Sequence, residues 1–160
     1  MSAGCTSETV GPEWTRLDPP IPAPEFTLPQ LDGKAVRLSD YRDHVVIMEF
    51  WATWCGSCRQ STPSLDVIYR RYRDRGVTVL LINEGEPAAR VRAWVERRFA
   101  APILLDEEGR VAKLYRLSGL PRLLIIDHGR MLYDRSGYHG GLEQNLSLIL
   151  DDLLAHPLRP

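Results

Sequence analysis

Residues 45–59 read Val45-Val46-Ile47-Met48-Glu49-Phe50-Trp51-Ala52-Thr53-Trp54-Cys55-Gly56-Ser57-Cys58-Arg59, and this stretch decides the fold. Its first seven residues lack polar alternation, which predicts a strand covered on both faces, as in the centre of an α/β sheet. Beyond it, Leu65, Ile68, Tyr69 and Tyr72 recur at helical spacing, so a helix is predicted over about 57–73. Gly76 stands just past its end, where a glycine closes a helix. The two cysteines therefore open a helix that follows a buried strand.

Working outward, Val77–Ile82 reads as a second buried strand, and Pro87 opens a helix carrying Val91, Trp94, Val95 and Phe99 on one face. A short strand (Ile103–Leu105) and a short helix (Arg110–Tyr115) follow. Arg122–Ile126 and Met131–Ser136 are expected to form an antiparallel hairpin around His128-Gly129. A last helix over Leu142–Leu154 turns Leu142, Leu146, Ile149, Leu150 and Leu153 inward. Upstream, Phe26–Leu28 and Ala35–Leu38 flank Asp32-Gly33 as a second hairpin, followed by one helical turn at Ser39–Arg42. Residues 1–24 contain Pro12, Pro19, Pro20, Pro22 and Pro24, and are expected to be an extended tail with neither helix nor central strand. The domain is expected over 25–156, as one α/β unit with a mixed sheet and helices on both faces.

Composition removes whole classes of function. With 20 basic and 21 acidic side chains in 160 residues, the net charge of −1 argues against nucleic acid as a partner. The arginines at 70, 71, 73 and 75, and at 90, 92, 97 and 98, read as solvated helix faces. No apolar run approaches the roughly 18 residues of a membrane span, and no secretory leader is visible. Ser2-Ala3-Gly4-Cys5 looks like the end of a bacterial lipoprotein cleavage site. Cys5 is either the remnant of a lipid anchor or incidental, and membrane contact is expected only if it is lipidated.

Three cysteines cannot all pair within one chain, so the placement of Cys55 and Cys58 matters more than their number. A Cys-x-x-Cys serves zinc, a structural bridge or redox chemistry. Zinc needs four ligands, yet there is no second pair and His44, His128, His139 and His156 are scattered, so no metal is expected. At a helix start, unpaired N–H groups and the helix dipole stabilise a thiolate. Cys58, three residues on, lies within disulfide reach. An exposed Cys55 would attack a substrate disulfide, and Cys58 would resolve the mixed disulfide. Glu49 interrupts the buried run, where a carboxylate is costly without a task or a partner.

Glu49 to Arg59, with Pro63 five residues after Cys58, resembles the thioredoxin superfamily. More narrowly it resembles the TlpA-like thiol–disulfide oxidoreductases, a bacterial extracytoplasmic group that includes cytochrome c maturation proteins. The likeness runs from Pro24 to about Leu154. It takes in Ala23-Pro24-Glu25-Phe26-Thr27-Leu28, Leu31-Asp32-Gly33-Lys34, Leu105-Asp106 and Gly119-Leu120-Pro121. It implies a thioredoxin fold with a central mixed β-sheet flanked by helices, an N-terminal β-hairpin and an extra αβ insertion. It also implies that Pro121 is a cis-proline facing the dithiol, keeping metal-binding side chains away and leaving the Leu120 backbone free for an extended substrate. By the same resemblance Glu49 assists proton transfer at Cys58, with a pKa raised by burial; the alternative is a carboxylate reaching solvent or a salt bridge. Trp54, Gly56 and Ser57 complete the substrate rim, while Trp51, Trp94, Tyr69 and Tyr72 read as core.

Two residues depart from the family pattern. Ser57 stands where proline is common, and its hydroxyl could stabilise the thiolate and make the couple more oxidising. Arg122 follows Pro121 where a small residue is common; it either tunes Cys55 or snorkels outward. The expectation is a monomeric protein-disulfide reductase of the periplasm or cell envelope, with the cytoplasm as the alternative. It needs no cofactor beyond its dithiol, and it draws electrons from an upstream thiol reductase. The alternatives are a peroxiredoxin-like thiol peroxidase, against which Ala52 stands where threonine is required, and a thiol-based copper-binding module.

Overall fold

The computed structural model describes residues 13–157. In chain order its strands are β1 (Thr15–Pro22), β2 (Thr27–Pro29), β3 (Ala35–Arg37), β4 (Val45–Trp51), β5 (Val77–Glu84), β6 (Ile103–Asp106), β7 (Arg122–Asp127) and β8 (Arg130–Ser136). The helices are α1 (Cys58–Tyr72), α2 (Ala88–Val95), α3 (Arg110–Leu114) and α4 (Leu142–Ala155), with 3-10 turns at Leu38–Tyr41 and Arg73–Arg75. Six strands form one mixed sheet in the order β1-β8-β7-β4-β5-β6. The pairs β4–β5 and β5–β6 are parallel, and β4–β7, β7–β8 and β1–β8 antiparallel. Strands β2 and β3 form the expected separate hairpin. The extra αβ unit is α2 with β6, which extends the sheet beyond β5.

All seven residues of β4 are buried, as the unbroken apolar run requires. Successive side chains of a strand point to opposite faces, so β4 feeds two cores. Val45, Ile47 and Trp51 pack with Leu65 and Ile68 of α1, Val91 of α2 and Leu146 and Leu150 of α4. Val46, Met48 and Phe50 pack with Leu28 and Val36 of the hairpin and with Val111 of α3. Glu49 lies between Ile47 and Trp51 in this alternation and so faces α1. A one-residue slip would turn it to the hairpin side and expose the opposite set of apolar side chains to the wrong layer, so the register is strongly specified. Gly76, at φ 76°, makes the left-handed exit that lets the chain reverse from α1 into β5. His128 and Gly129, at φ 47° and 76°, form the tight turn between β7 and β8.

Two expectations need correction. The segment read as a tail ending at residue 24 contains β1, and Trp14 just before it is buried with its ring edge-on to Tyr133 at 6.3 Å. Proline can sit there because β1 is an edge strand. Its pairing register shifts between Arg16 and Ile21, the stretch that holds Pro19 and Pro20. The helix opened by Pro87 stops at Val95, because Glu96 and Arg97 take left-handed backbone angles, so Phe99 is not on it. Asp66 of α1 accepts the N–H groups of Ala100 and Ala101, both at 2.8 Å, and anchors the chain away from the helical path. Phe99 instead stacks on Trp94, with ring centroids 5.8 Å apart. Cys5 and Pro12 lie outside the described residues.

Candidate active site

The site sits where β4 ends and α1 begins. Ala52 carbonyl accepts the Cys55 N–H at 3.2 Å, closing a turn, and the Cys58 N–H donates to Cys55 Sγ at 3.3 Å. Cys55 thus receives a hydrogen bond from the first residue of α1, at the positive end of the helix. Cys55 and Cys58 are joined as a disulfide, with Cα atoms 5.3 Å apart. Cys58 is wholly buried and Cys55 keeps 6% exposure, so Cys55 is less open than expected, although it remains the more accessible of the two. Trp54 beside it is 67% exposed, and Gly56 and Ser57 are exposed too. The Ser57 hydroxyl makes no capping bond to the helix backbone.

Glu49 has no exposed surface, and no salt bridge reaches it among the described residues. Its oxygens accept hydrogen bonds from Ser61 Oγ and Thr62 Oγ1, each at 2.5 Å, three and four residues beyond Cys58 on α1. Burial raises its pKa from 4.5 to about 7, against the opposing pull of the two hydroxyls. The alternative of a carboxylate reaching solvent is excluded.

A second buried carboxylate holds the loop from β4 to the cysteines. Glu86, 3% exposed, accepts the Thr53 N–H at 2.7 Å, the Thr53 hydroxyl at 2.5 Å and Asn83 Nδ2 at 2.8 Å. Arg90 approaches to 4.0 Å. Burial pushes this acid up, but the Thr53, Asn83 and Arg90 contributions outweigh it and leave the pKa below the usual value. Sequence reading missed Glu86 and Thr53, because neither periodicity nor motif marks them. Ser61 and Thr62 left a fainter signal, since Ser61 shares the core-facing stripe of Cys58 and Leu65 at helical spacing.

Leu120-Pro121 is a cis peptide, as the resemblance implied. Pro121 carbonyl accepts the Gly137 N–H at 2.8 Å, whereas the backbone N–H and C=O of Leu120 take no partner among the described residues. A cleft of about 450 Å³ beside it is lined by Trp54, Glu84, Lys113, Leu117 and Leu120. Arg122 points away from the face on which α1 packs. It alternates with Leu123 and so lies on the hairpin face, opposite α1, where Asp134 accepts its Nε and Nη2 at 3.1 and 2.9 Å. The Tyr115 carbonyl takes a further hydrogen bond from it. Among the described residues, no three His, Cys, Asp or Glu side chains gather as a metal site.

Residues 21–134 match the AhpC/TSA family. The thiol-disulfide oxidoreductase ResA of Geobacillus thermodenitrificans is 38% identical over 106 residues, which cover 66% of this chain and 61% of that protein. ResA of Geobacillus kaustophilus is 39% identical over the same shares. The chain thus spans 61% of the length of these curated relatives. Among solved structures, a Chlorobium tepidum protein described as a thiol:disulfide interchange protein DsbE superposes with a TM-score of 0.79 at 29% identity, covering 84% of this chain and 96% of that one. The exposed lipoprotein thioredoxin Etrx1 of Streptococcus pneumoniae superposes at 0.70 and 29% identity, over 81% of this chain and 100% of that one. The chain belongs to the AhpC/TSA family, as a TlpA/ResA-like member with the thioredoxin fold.

Proposed function

We propose that the protein is a thiol–disulfide oxidoreductase that reduces disulfides in other proteins. The observation that carries this reading is the disulfide at the start of α1, in which Cys58 is wholly buried and Cys55, at 6% exposure, is the more accessible partner. In the dithiol state, Cys55 thiolate attacks a substrate disulfide. One substrate sulfur bonds to Cys55 and the other leaves as a thiolate. Cys58 then loses its proton to Glu49 and attacks Cys55 Sγ, restoring the Cys55–Cys58 disulfide and expelling the second substrate thiolate. Two electrons pass to the substrate, so the dithiol suffices and no organic cofactor or metal enters. An upstream thiol reductase returns the electrons. The unpartnered Leu120 backbone and the Trp54 rim would hold an extended substrate segment beside Cys55.

This reading extends to an extracytoplasmic role in maturing cytochrome c or another metalloprotein, as a monomer, with membrane contact only through a lipidated Cys5. Among the described residues, no helix is long and apolar enough to cross a membrane. The test is turnover of a protein disulfide together with the reduction potential of the couple. Cys55→Ser should abolish turnover, and Cys58→Ser should accumulate a mixed disulfide on Cys55. A potential near −120 mV, on the order of the strongly oxidising relatives, would overturn the reductive direction. Peroxide consumption that outruns disulfide turnover would overturn the substrate class in favour of a thiol peroxidase.

A further inference from the structure

Glu49 is served by two adjacent residues of one helix. Ser61 Oγ donates to Oε2 and Thr62 Oγ1 to Oε1, and Glu49, Ser61 and Thr62 are each at 0% exposure. Neighbouring helical positions point about 100° apart, so convergence on one carboxylate requires that carboxylate to lie between them. Each hydroxyl carries a single proton and has spare acceptor capacity. With Glu49 ionised, both protons point at it. Once Glu49 is protonated it becomes a donor, and one hydroxyl must turn to accept. Ser61 has a second acceptor at hand, because its Oγ also lies 3.5 Å from the Cys58 carbonyl.

We propose that Ser61 and Thr62 are positioning residues for the dithiol step. They form a two-hydroxyl cradle that supplies the hydrogen bonds burial denies to the Glu49 carboxylate, and that reorients as Glu49 takes up and releases the Cys58 proton. This rests on the role of Glu49 given above. None of the other polar or charged groups on this face hydrogen-bonds to Glu49 among the described residues. Asp66 of α1 pairs with Arg70, and Asp127 of β7 lies opposite Val45, at the far end of β4, and contacts His128. Arg135 of β8 donates to the His139 carbonyl, and Tyr133 packs on Trp14. On α4, Asp151 accepts from Tyr72, and β5 presents only Val77, Val79, Leu81 and Asn83 to this side. The two hydroxyls therefore remain as the groups that oppose burial at Glu49.

The test follows the Glu49 carboxyl band by infrared spectroscopy against pH in the reduced protein, alongside the pH profile of mixed-disulfide resolution. Glu49→Gln assigns the band. Ser61→Ala and Thr62→Val should each raise the titration midpoint by about one pH unit, a tenfold change in proton affinity. The resolution profile should move with it, and Thr62→Ser should restore the wild-type midpoint. Midpoints unmoved by Ser61→Ala and Thr62→Val, with the Glu49→Gln effect intact, overturn the cradle alone. A resolution profile unchanged in Glu49→Gln overturns the Glu49 role and, with it, the mechanistic part of the cradle. Should Thr62→Val not fold, Ser61→Ala and Thr62→Ser still decide.

Discussion

Glu49 and Glu86 are both buried glutamates near the dithiol, both with every oxygen hydrogen-bonded, yet their proton affinities move in opposite directions. Glu49 lies inside the sheet-to-helix layer and is met by two hydroxyls alone. Glu86 follows β5, where a hydroxyl, a backbone N–H and an amide converge on it and Arg90 stands 4.0 Å away. Burial therefore does not by itself determine the charge of a carboxylate. The count and kind of donors decide whether it holds a loop as a fixed anion or stays poised to take a proton.

The largest expected effect comes from Glu49→Gln. The folded-state pKa of about 7 lies above the ordinary 4.5, so the folded protein holds this proton more tightly than the unfolded chain does. Stability from this group is complete below about 4.5 and falls as pH rises to about 7. Glu49→Gln should therefore gain about 3 kcal/mol over the wild type at alkaline pH, and little below pH 4, in urea denaturation. It should also slow resolution while leaving Cys55 alkylation fast; equal stability of the two proteins at pH 9 would sink the burial argument.

Glu86→Gln should act with the opposite sign. An NH2 would face a Thr53 donor, costing about 1–3 kcal/mol at pH 7. Because the Glu86 pKa is depressed, its stabilisation is present above the ordinary carboxylate value and is lost as pH falls through the folded value. The difference between Glu86→Gln and wild type should thus shrink in acid. If both glutamine variants shift stability in the same direction at neutral to alkaline pH, the contrast between the two glutamates is wrong.

Arg122→Met removes a partly buried ion pair on the hairpin face and should cost about 1 kcal/mol. The pH dependence of Cys55 alkylation should be unaltered; a shifted profile would return Arg122 to the thiolate. Arg90→Gln is expected to have the smallest effect, below about 0.5 kcal/mol, since Arg90 is 64% exposed and its contact is long. A larger loss would show that the cation, and not the hydrogen bonds, holds Glu86 ionised.

Much of this was legible in residue order because the relevant signals are local. The unbroken run Val45–Trp51, the cysteines at the start of a helix and the leucine spacing of α4 each belong to one element. β1 was harder to read, because its prolines are compatible with either a tail or an edge, and only pairing with β8 distinguishes them. Adjacency to Pro121 left two orientations open for Arg122. Neighbours along a strand face opposite sides, and knowing which side carries the dithiol requires knowing where α1 packs.

By itself the sequence determined the strand-to-helix junction, the two cysteines and the presence of one acid in an apolar strand, because hydrophobic periodicity and helix-start chemistry act over a few residues. Only the tertiary structure decided which charges serve that site. The cradle of Glu49 comes from a strand and a helix meeting, and the clamp on Thr53 reaches across 33 residues of chain. A buried carboxylate takes its proton affinity from donors in space, and their distance along the chain does not reveal them.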